Sequence, residues 1–169
     1  ATGNLTGNDN NVRLGSAVAL NGDGTIIAAS SPYNPSGGIV QVFQYNGSSW
    51  SQLGSDIAGV SRIGDQHNTL SLNTAGTILA VSDRRVVSNT GVVRVYEYSS
   101  GSWSQIGSDI DGEAVGDYCG NVSLNNSGSI IAVGAQSNDG NAANNAGHVR
   151  VFEYSAGSWS QLGTDIDGE

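Results

Sequence analysis

The sequence has no Lys, no Met and one Cys, and its six basic residues are all Arg. With 15 acidic residues the formal charge is −9. That balance is too acidic for a nucleic-acid binder, and no basic stripe exists. A lone Cys119 excludes an intrachain disulfide. It reads as a small buried hydrophobe; a reactive thiol would need a neighbouring base or a symmetric partner. Apolar runs extend only a few residues, so no segment reads as a membrane span. The missing Met predicts a processed chain or an excerpt of a longer one, and no signal-peptide pattern is present. No segment sustains a 3.6-residue apolar period, which excludes long helices. His67 and His148, the only histidines, lie in different repeats. No Gly-rich phosphate loop stands between a strand and a helix. Serines and aspartates are so abundant that a Ser-His-Asp arrangement carries no weight. Leu, Ile, Val and Phe number 38 of 169 residues, near the boundary for disorder at this charge.

Against disorder stands a threefold internal repeat. Ser49-Trp50-Ser51-Gln52-Leu53-Gly54-Ser55-Asp56-Ile57 returns at Ser102–Ile110 and again at Ser158–Ile166. Gly38-Ile39-Val40-Gln41-Val42-Phe43-Gln44-Tyr45 returns at Gly91–Tyr98 and Gly147–Tyr154. Such a period marks stacked supersecondary units. The units span residues 1–60, 61–113 and 114–169, one continuous array without cap or linker.

Each unit reads as four short strands. Strand one is Ala17–Leu20, Leu70–Leu72 or Val122–Leu124. An Asn-x-x-Gly turn leads to strand two at Thr25–Ala29, Thr77–Val81 or Ser129–Val133, with Gly where a positive φ is needed. After a variable loop, strand three is the Gly-x-Val-x-Val-aromatic run, and strand four carries the Trp. Alternation puts Val on one face of strand three and aromatics on the other. Both faces are apolar, so each sheet must stack on neighbours. The fold class is therefore all-β: three tandem four-stranded antiparallel blades of β-propeller type. A β-solenoid is the rival, with shorter coils. Propellers close with about four to eight blades, so further repeats or other copies would complete the array.

The run Gly116-Asp117-Tyr118-Cys119-Gly120-Asn121-Val122-Ser123-Leu124, then Ile131-Ala132-Val133-Gly134-Ala135, then Gly147-His148-Val149-Arg150-Val151-Phe152, resembles the FG-GAP repeats of the integrin-α propeller and of secreted microbial proteins. Cys119 stands where that family has Phe, and Gln136 where Pro often follows Gly-Ala; Pro32 keeps it in the first unit. The resemblance implies an extracellular or cell-surface location and no cofactor other than calcium. The family's acidic calcium loop is approached only by Asn138-Asp139-Gly140-Asn141, with one carboxylate where calcium wants several. Asn138, Asp139 and Asn141 are thus weak metal candidates, and a polar turn is the competing reading.

No residue reads as catalytic, and the chain is expected not to be an enzyme. Gln52, Gln105 and Gln161, with Asp56, Asp109 and Asp165, recur in every unit, which favours a structural role such as hydrogen bonding between blades over catalysis. Trp50, Trp103 and Trp159 are expected to be inter-blade anchors, largely buried, with their N–H groups on nearby acceptors; sugar-stacking platforms are the alternative. His148 reads as a solvated or inter-blade histidine. Sequons make Asn4, Asn46, Asn121 and Asn125 candidate glycosylation acceptors. The leading expectation is a non-enzymatic extracellular structural protein that adds head-to-tail to other copies or continuing repeats. The terminal Asp167-Gly168-Glu169 would meet the start as Asp111-Gly112-Glu113 meets Ala114, giving a ring or a filament. Ala17, Val18, Val40 and Val42 would face the partner at one end, and Val149, Val151, Phe152 and Tyr154 at the other. The alternative is an adhesion or carbohydrate-binding propeller fragment using the loops Gly134–Ala146 and Ser82–Thr90.

Overall fold

A computed structural model describes residues 12–59, 61–65, 69–139 and 145–169. Three antiparallel sheets follow one another along the chain. The first holds β1 (Val18–Leu20), β2 (Ile26–Ser31), β3 (Ile39–Tyr45), β4 (Trp50–Gln52) and β5 (Ile57–Ala58). The second holds β6 (Leu70–Leu72), β7 (Ile78–Asp83), β8 (Val92–Ser99), β9 (Ser102–Gln105) and β10 (Ile110–Asp111). The third holds β11 (Cys119–Leu124), β12 (Ile130–Ala135), β13 (His148–Ser155), β14 (Ser158–Gln161) and β15 (Ile166–Asp167). One turn, α1 (Val86–Asn89), lies between β7 and β8, with Val87 and Ser88 at positive φ. No strand is shared between sheets among the described residues.

The Asn-x-x-Gly turns form as the sequence demands. The Asn73 carboxamide oxygen accepts from the N–H groups of Thr77 and Ile78, both at 2.9 Å. Asn125 likewise accepts from Gly128 and Ile130. Successive turns are joined across the stack: the Gly22 N–H donates to the Thr74 carbonyl, and the Thr74 N–H to that of Asn126.

The fourth strand departs from expectation, because it is broken in two. In the first sheet Phe43 pairs with Gln52, but Val40 pairs with Ile57. Three steps along β3 face five along the outer strand, so two extra residues are looped out. The same break separates β9 from β10 and β14 from β15. It is a bulge at a sheet edge, at the place where Leu-Gly-Ser-Asp and its equivalents stand. The third sheet also begins earlier than expected, at Cys119, through a second irregularity at Gly120.

The sheets pack face to face through two cores. Between the first and second lie Ile26, Ala28, Val40, Val42 and Ile57 against Leu70, Leu72, Leu79 and Val81. Between the second and third lie Ile78, Ala80, Val93, Val95 and Ile110 against Val122, Ile131, Val133 and Phe152. This corrects two assignments. Ala17, Val40 and Val42 are buried against the second sheet, and Phe152 against the second from the other side. What the first sheet leaves open is Val18 and Leu20; the third leaves Val149 and Ile166. The alternation was right, but choosing which face meets which neighbour requires the stacking order.

Replacing the fully buried Leu79 by Ala is expected to cost about 2–5 kcal/mol in chemical denaturation. Val18→Ala, on the open face, should stay within about 0.5 kcal/mol. Equal losses would mean that the sheets do not stack in this order.

Candidate functional site

The contacts between blades concentrate at the broken outer strand. Gly54 takes φ +78° there, and its face lies so close to the Trp103 ring that an added Cβ would come within 2.8 Å of it. The exposed bulge leaves the Leu53 carbonyl available, and the Trp103 indole N–H donates to it at 2.9 Å. One blade further on, Trp159 donates to the Ile106 carbonyl at 3.2 Å and its ring covers Gly107. Within each blade the indole also packs on the tyrosine directly opposite it on the neighbouring strand: Tyr45 on Trp50, Tyr98 on Trp103, Tyr154 on Trp159, with centroids 5.1–5.3 Å apart. Trp103 and Trp159 are therefore inter-blade anchors. They are half-buried rather than largely buried, because the bulge lies at the sheet edge and covers only one side of each ring. Trp50 holds the same position in the first blade, which has no described blade before it.

The recurrent Gln and Asp act within a blade, not between blades. Gln52 donates to Asp56 at 2.7 Å, Gln105 to Asp109 at 2.8 Å, and Gln161 to Asp165 at 2.6 Å. Each pair closes its own bulge, since the looped-out residues bring position i+4 back beside position i. Sequence reasoning missed the arginines. Arg94 forms a two-pronged pair with Asp109, Nη2 to Oδ2 at 2.8 Å. Burial pulls the Asp109 carboxyl upward, but the hydrogen bonds from Arg94 and Gln105 and the arginine charge outweigh it and hold the group below its ordinary value. In the third blade Arg150 turns to the preceding blade instead. Its Nη2 donates to the Asp111 carbonyl at 2.6 Å, and Nη1 lies 3.6 Å from Glu113.

That turn leaves Asp165 to another group. His148 opens β13 beside it, with its side chain 1% exposed and Nδ1 3.7 Å from both Asp165 and Glu113. One ligand atom from each of the three lies within 4.8 Å of the others. Asn138 and Asp139 are already engaged: the Asn138 amide donates to Asp117 at 3.2 Å, and Asp139 accepts from the Asn145 N–H at 2.9 Å. Asn141, Asn4 and His67 lie outside the described residues. Asn46 is an exposed turn residue whose carboxamide oxygen accepts from Ser48 and Ser49. Asn125 is exposed in its turn, whereas Asn121 sits inside β11, half-buried. Cys119 is fully buried, and desolvation pushes its thiol up to about 11, far from the range of a nucleophile.

The two ends of the stack present the faces that the internal junctions bury. Val18, Leu70 and Val122 are equivalent in the repeat. They are 59%, 6% and 8% exposed, and among the described residues only the first has no blade before it. Ile57, Ile110 and Ile166 are 5%, 4% and 61% exposed, and among the described residues only the last has no blade after it. The glycines agree. A Cβ on Gly76 would strike Ile26 and one on Gly128 would strike Ile78, while Gly24 has open space. A Cβ on Gly54 or Gly107 would strike an indole, while Gly163 has open space.

This geometry defines a class, an array of β-propeller-type blades. No protein-family profile and no curated protein matches the chain. Among solved structures it is similar to a putative 6-phosphogluconolactonase from Bacteroides fragilis, with TM-score 0.60 and 16% identity, covering 90% of this chain and 38% of that one. It is also similar to Saccharomyces cerevisiae Sqt1, with TM-score 0.60 and 14% identity over 93% of this chain and 36% of that one. The β-propeller domain of the Trilobed protease from Pyrococcus furiosus matches with TM-score 0.52 and 9% identity over 87% and 42%. The chain spans less than half the length of each of these. At such identities the likeness shows the fold alone.

Two outcomes follow from the joint. Trp103→Ala is expected to cost about 3 kcal/mol, the low end for a large aromatic because the ring is half-exposed; Trp50→Ala, measured in the single chain, should cost clearly less. Asp109→Asn is expected to cost about 1 kcal/mol at neutral pH, discounted for the pair's partial exposure. A lowered folded value means that this stabilisation is complete above the ordinary Asp value of about 3.9 and is lost as pH falls through the lower folded value. Urea titrations of parent and variant should therefore converge in acid; a gap that widens there would contradict the assignment.

Proposed function

We propose that this chain is a non-enzymatic structural repeat protein of the extracellular space, extended head-to-tail by a second copy of itself. The observation that carries the reading is the pair of open faces. The last blade offers Val149, Ile166, the open Gly163 and the Leu162 bulge. The first offers Val18, Leu20, the open Gly24 and Trp50. These are the residue positions that meet at both internal junctions, so a second copy placed by the same step would find Trp50 over Gly163 and the Leu162 carbonyl. Apolar faces of this kind mark interfaces. The contact is heterologous, so it gives a ring where the rotation closes and a filament where it does not. The FG-GAP resemblance supports the extracellular setting. The use of the Trp103 and Trp159 N–H groups inside the stack favours this reading over a sugar-binding one.

Sedimentation and negative-stain imaging at micromolar concentration should show rings or filaments. Val18→Glu and Ile166→Glu replace side chains that the single chain leaves exposed, so each should remain folded by circular dichroism yet stay monomeric. Mixing the two variants should give dimers at most, since each retains one competent face. A parent chain that remains a soluble monomer would defeat the proposal.

A further inference from the structure

The junction between the second and third blades holds a donor set that the stacking does not need. His148 is buried, and neither ring nitrogen has a hydrogen-bond partner. Its Nδ1 faces the gap between Glu113 Oε2 and Asp165 Oδ2, 3.7 Å from each. Buried polar groups are bonded in the great majority of cases, so an imidazole with two unbonded nitrogens, one of them aimed between two carboxylates, is an exception with a direction. Neighbours hold the carboxylates in place without consuming these oxygens. Gln161 donates to Asp165 Oδ1 at 2.6 Å, and Arg150 lies beside Glu113 Oε1 at 3.6 Å.

We propose that Glu113, His148 and Asp165 form a binding site for a divalent transition-metal ion of the zinc class. Bond lengths of about 2.0–2.2 Å put tetrahedral ligand atoms roughly 3.3–3.6 Å apart. Nδ1 stands 3.7 Å from each carboxylate oxygen and all three atoms lie within 4.8 Å of one another, so the set reaches that range by movement of two carboxylates that reach solvent. An imidazole nitrogen with two carboxylate oxygens suits zinc rather than calcium or magnesium, which take oxygen ligands. Three protein ligands leave a fourth position for water. The ion's two positive charges neutralise the two carboxylates. With the metal on Nδ1 the proton sits on Nε2, which has no outer acceptor. Loss of such a partner commonly weakens a site by about 10–100-fold, so micromolar rather than nanomolar affinity is expected.

The site is singular within the repeat. The equivalent positions at the preceding junction are Val60, Val92 and Asp109, a set with one ligand. Glu113 belongs to the second blade and His148 and Asp165 to the third, so the ion would clamp one junction. All three ligands lie inside one chain, so the site stands independently of how the ends of the stack are completed.

Calorimetric titration of the chelator-treated chain with Zn²⁺ near pH 7 is expected to give one ion per chain with a micromolar Kd, and Zn²⁺ should raise the thermal midpoint. His148→Val installs the residue type that Val92 already holds in the second blade, so the fold is retained; affinity should fall at least tenfold and the thermal shift disappear. Asp165→Asn, nearly the same shape, should lose at least tenfold as well. A parent chain that takes up no stoichiometric Zn²⁺ would overturn the proposal. Unchanged Zn²⁺ binding in His148→Val would overturn it equally, by placing the ion elsewhere.

Discussion

Every sheet in this chain is apolar on both faces, and the rest of the structure answers to that constraint. A single four-stranded sheet would leave one such face in water, at a cost of about 1.5–3 kcal/mol for each large side chain left uncovered. Stacking removes the cost at each junction and re-creates it at the two ends. Val18 and Leu20 at one end and Ile166 at the other are exposed for no reason of their own chemistry. Of their equivalents inside the stack, Leu70, Leu72, Val122, Ile57 and Ile110 are buried and Leu124 is half-buried. The open face at each end of the described stack is thus a section through its core.

The broken outer strand converts that non-directional attraction into a defined joint. Hydrophobic burial alone would let the sheets slide, because it depends on area rather than orientation. The bulge frees one carbonyl per blade, and one indole N–H of the next blade takes it. Glycine beneath the ring sets the approach distance. The Gln–Asp pair keeps the looped-out residues in place. At the opposite side of the stack, turn-to-turn hydrogen bonds repeat the same step. Polar contacts at these two separated places in each junction fix both spacing and rotation.

Against this regular frame the departures are informative. Gln41 bonds Asp56 in the first blade, Arg94 pairs with Asp109 in the second, and Arg150 abandons Asp165 in the third. The third arrangement exposes one carboxylate to His148 and brings Glu113 across the junction. A repeat needs only its frame to stack. Residues beside the frame can diverge, and the second junction has used that freedom to gather three ligand-type side chains.

The repeat itself was sufficient to determine the all-β class, three successive antiparallel sheets and the turn positions, because alternation and Asn-x-x-Gly spacing express local backbone geometry. It also pointed to Trp103 and Trp159, whose indole N–H groups donate to the preceding blade. It could not reveal the split of the fourth strand, since a two-residue bulge looks like continuous strand until its partner's register is known. For the same reason Gln and Asp, four apart, read as contacts between blades when they close a bulge within one. The faces were assigned backwards at Val40, Val42 and Phe152 because alternation says that two faces differ, not which neighbour each will meet. The Glu113, His148 and Asp165 cluster was illegible for a further reason: its members are separated by 35 and 17 positions, and only the packing of one blade on the next decides that three distant side chains share a few ångströms.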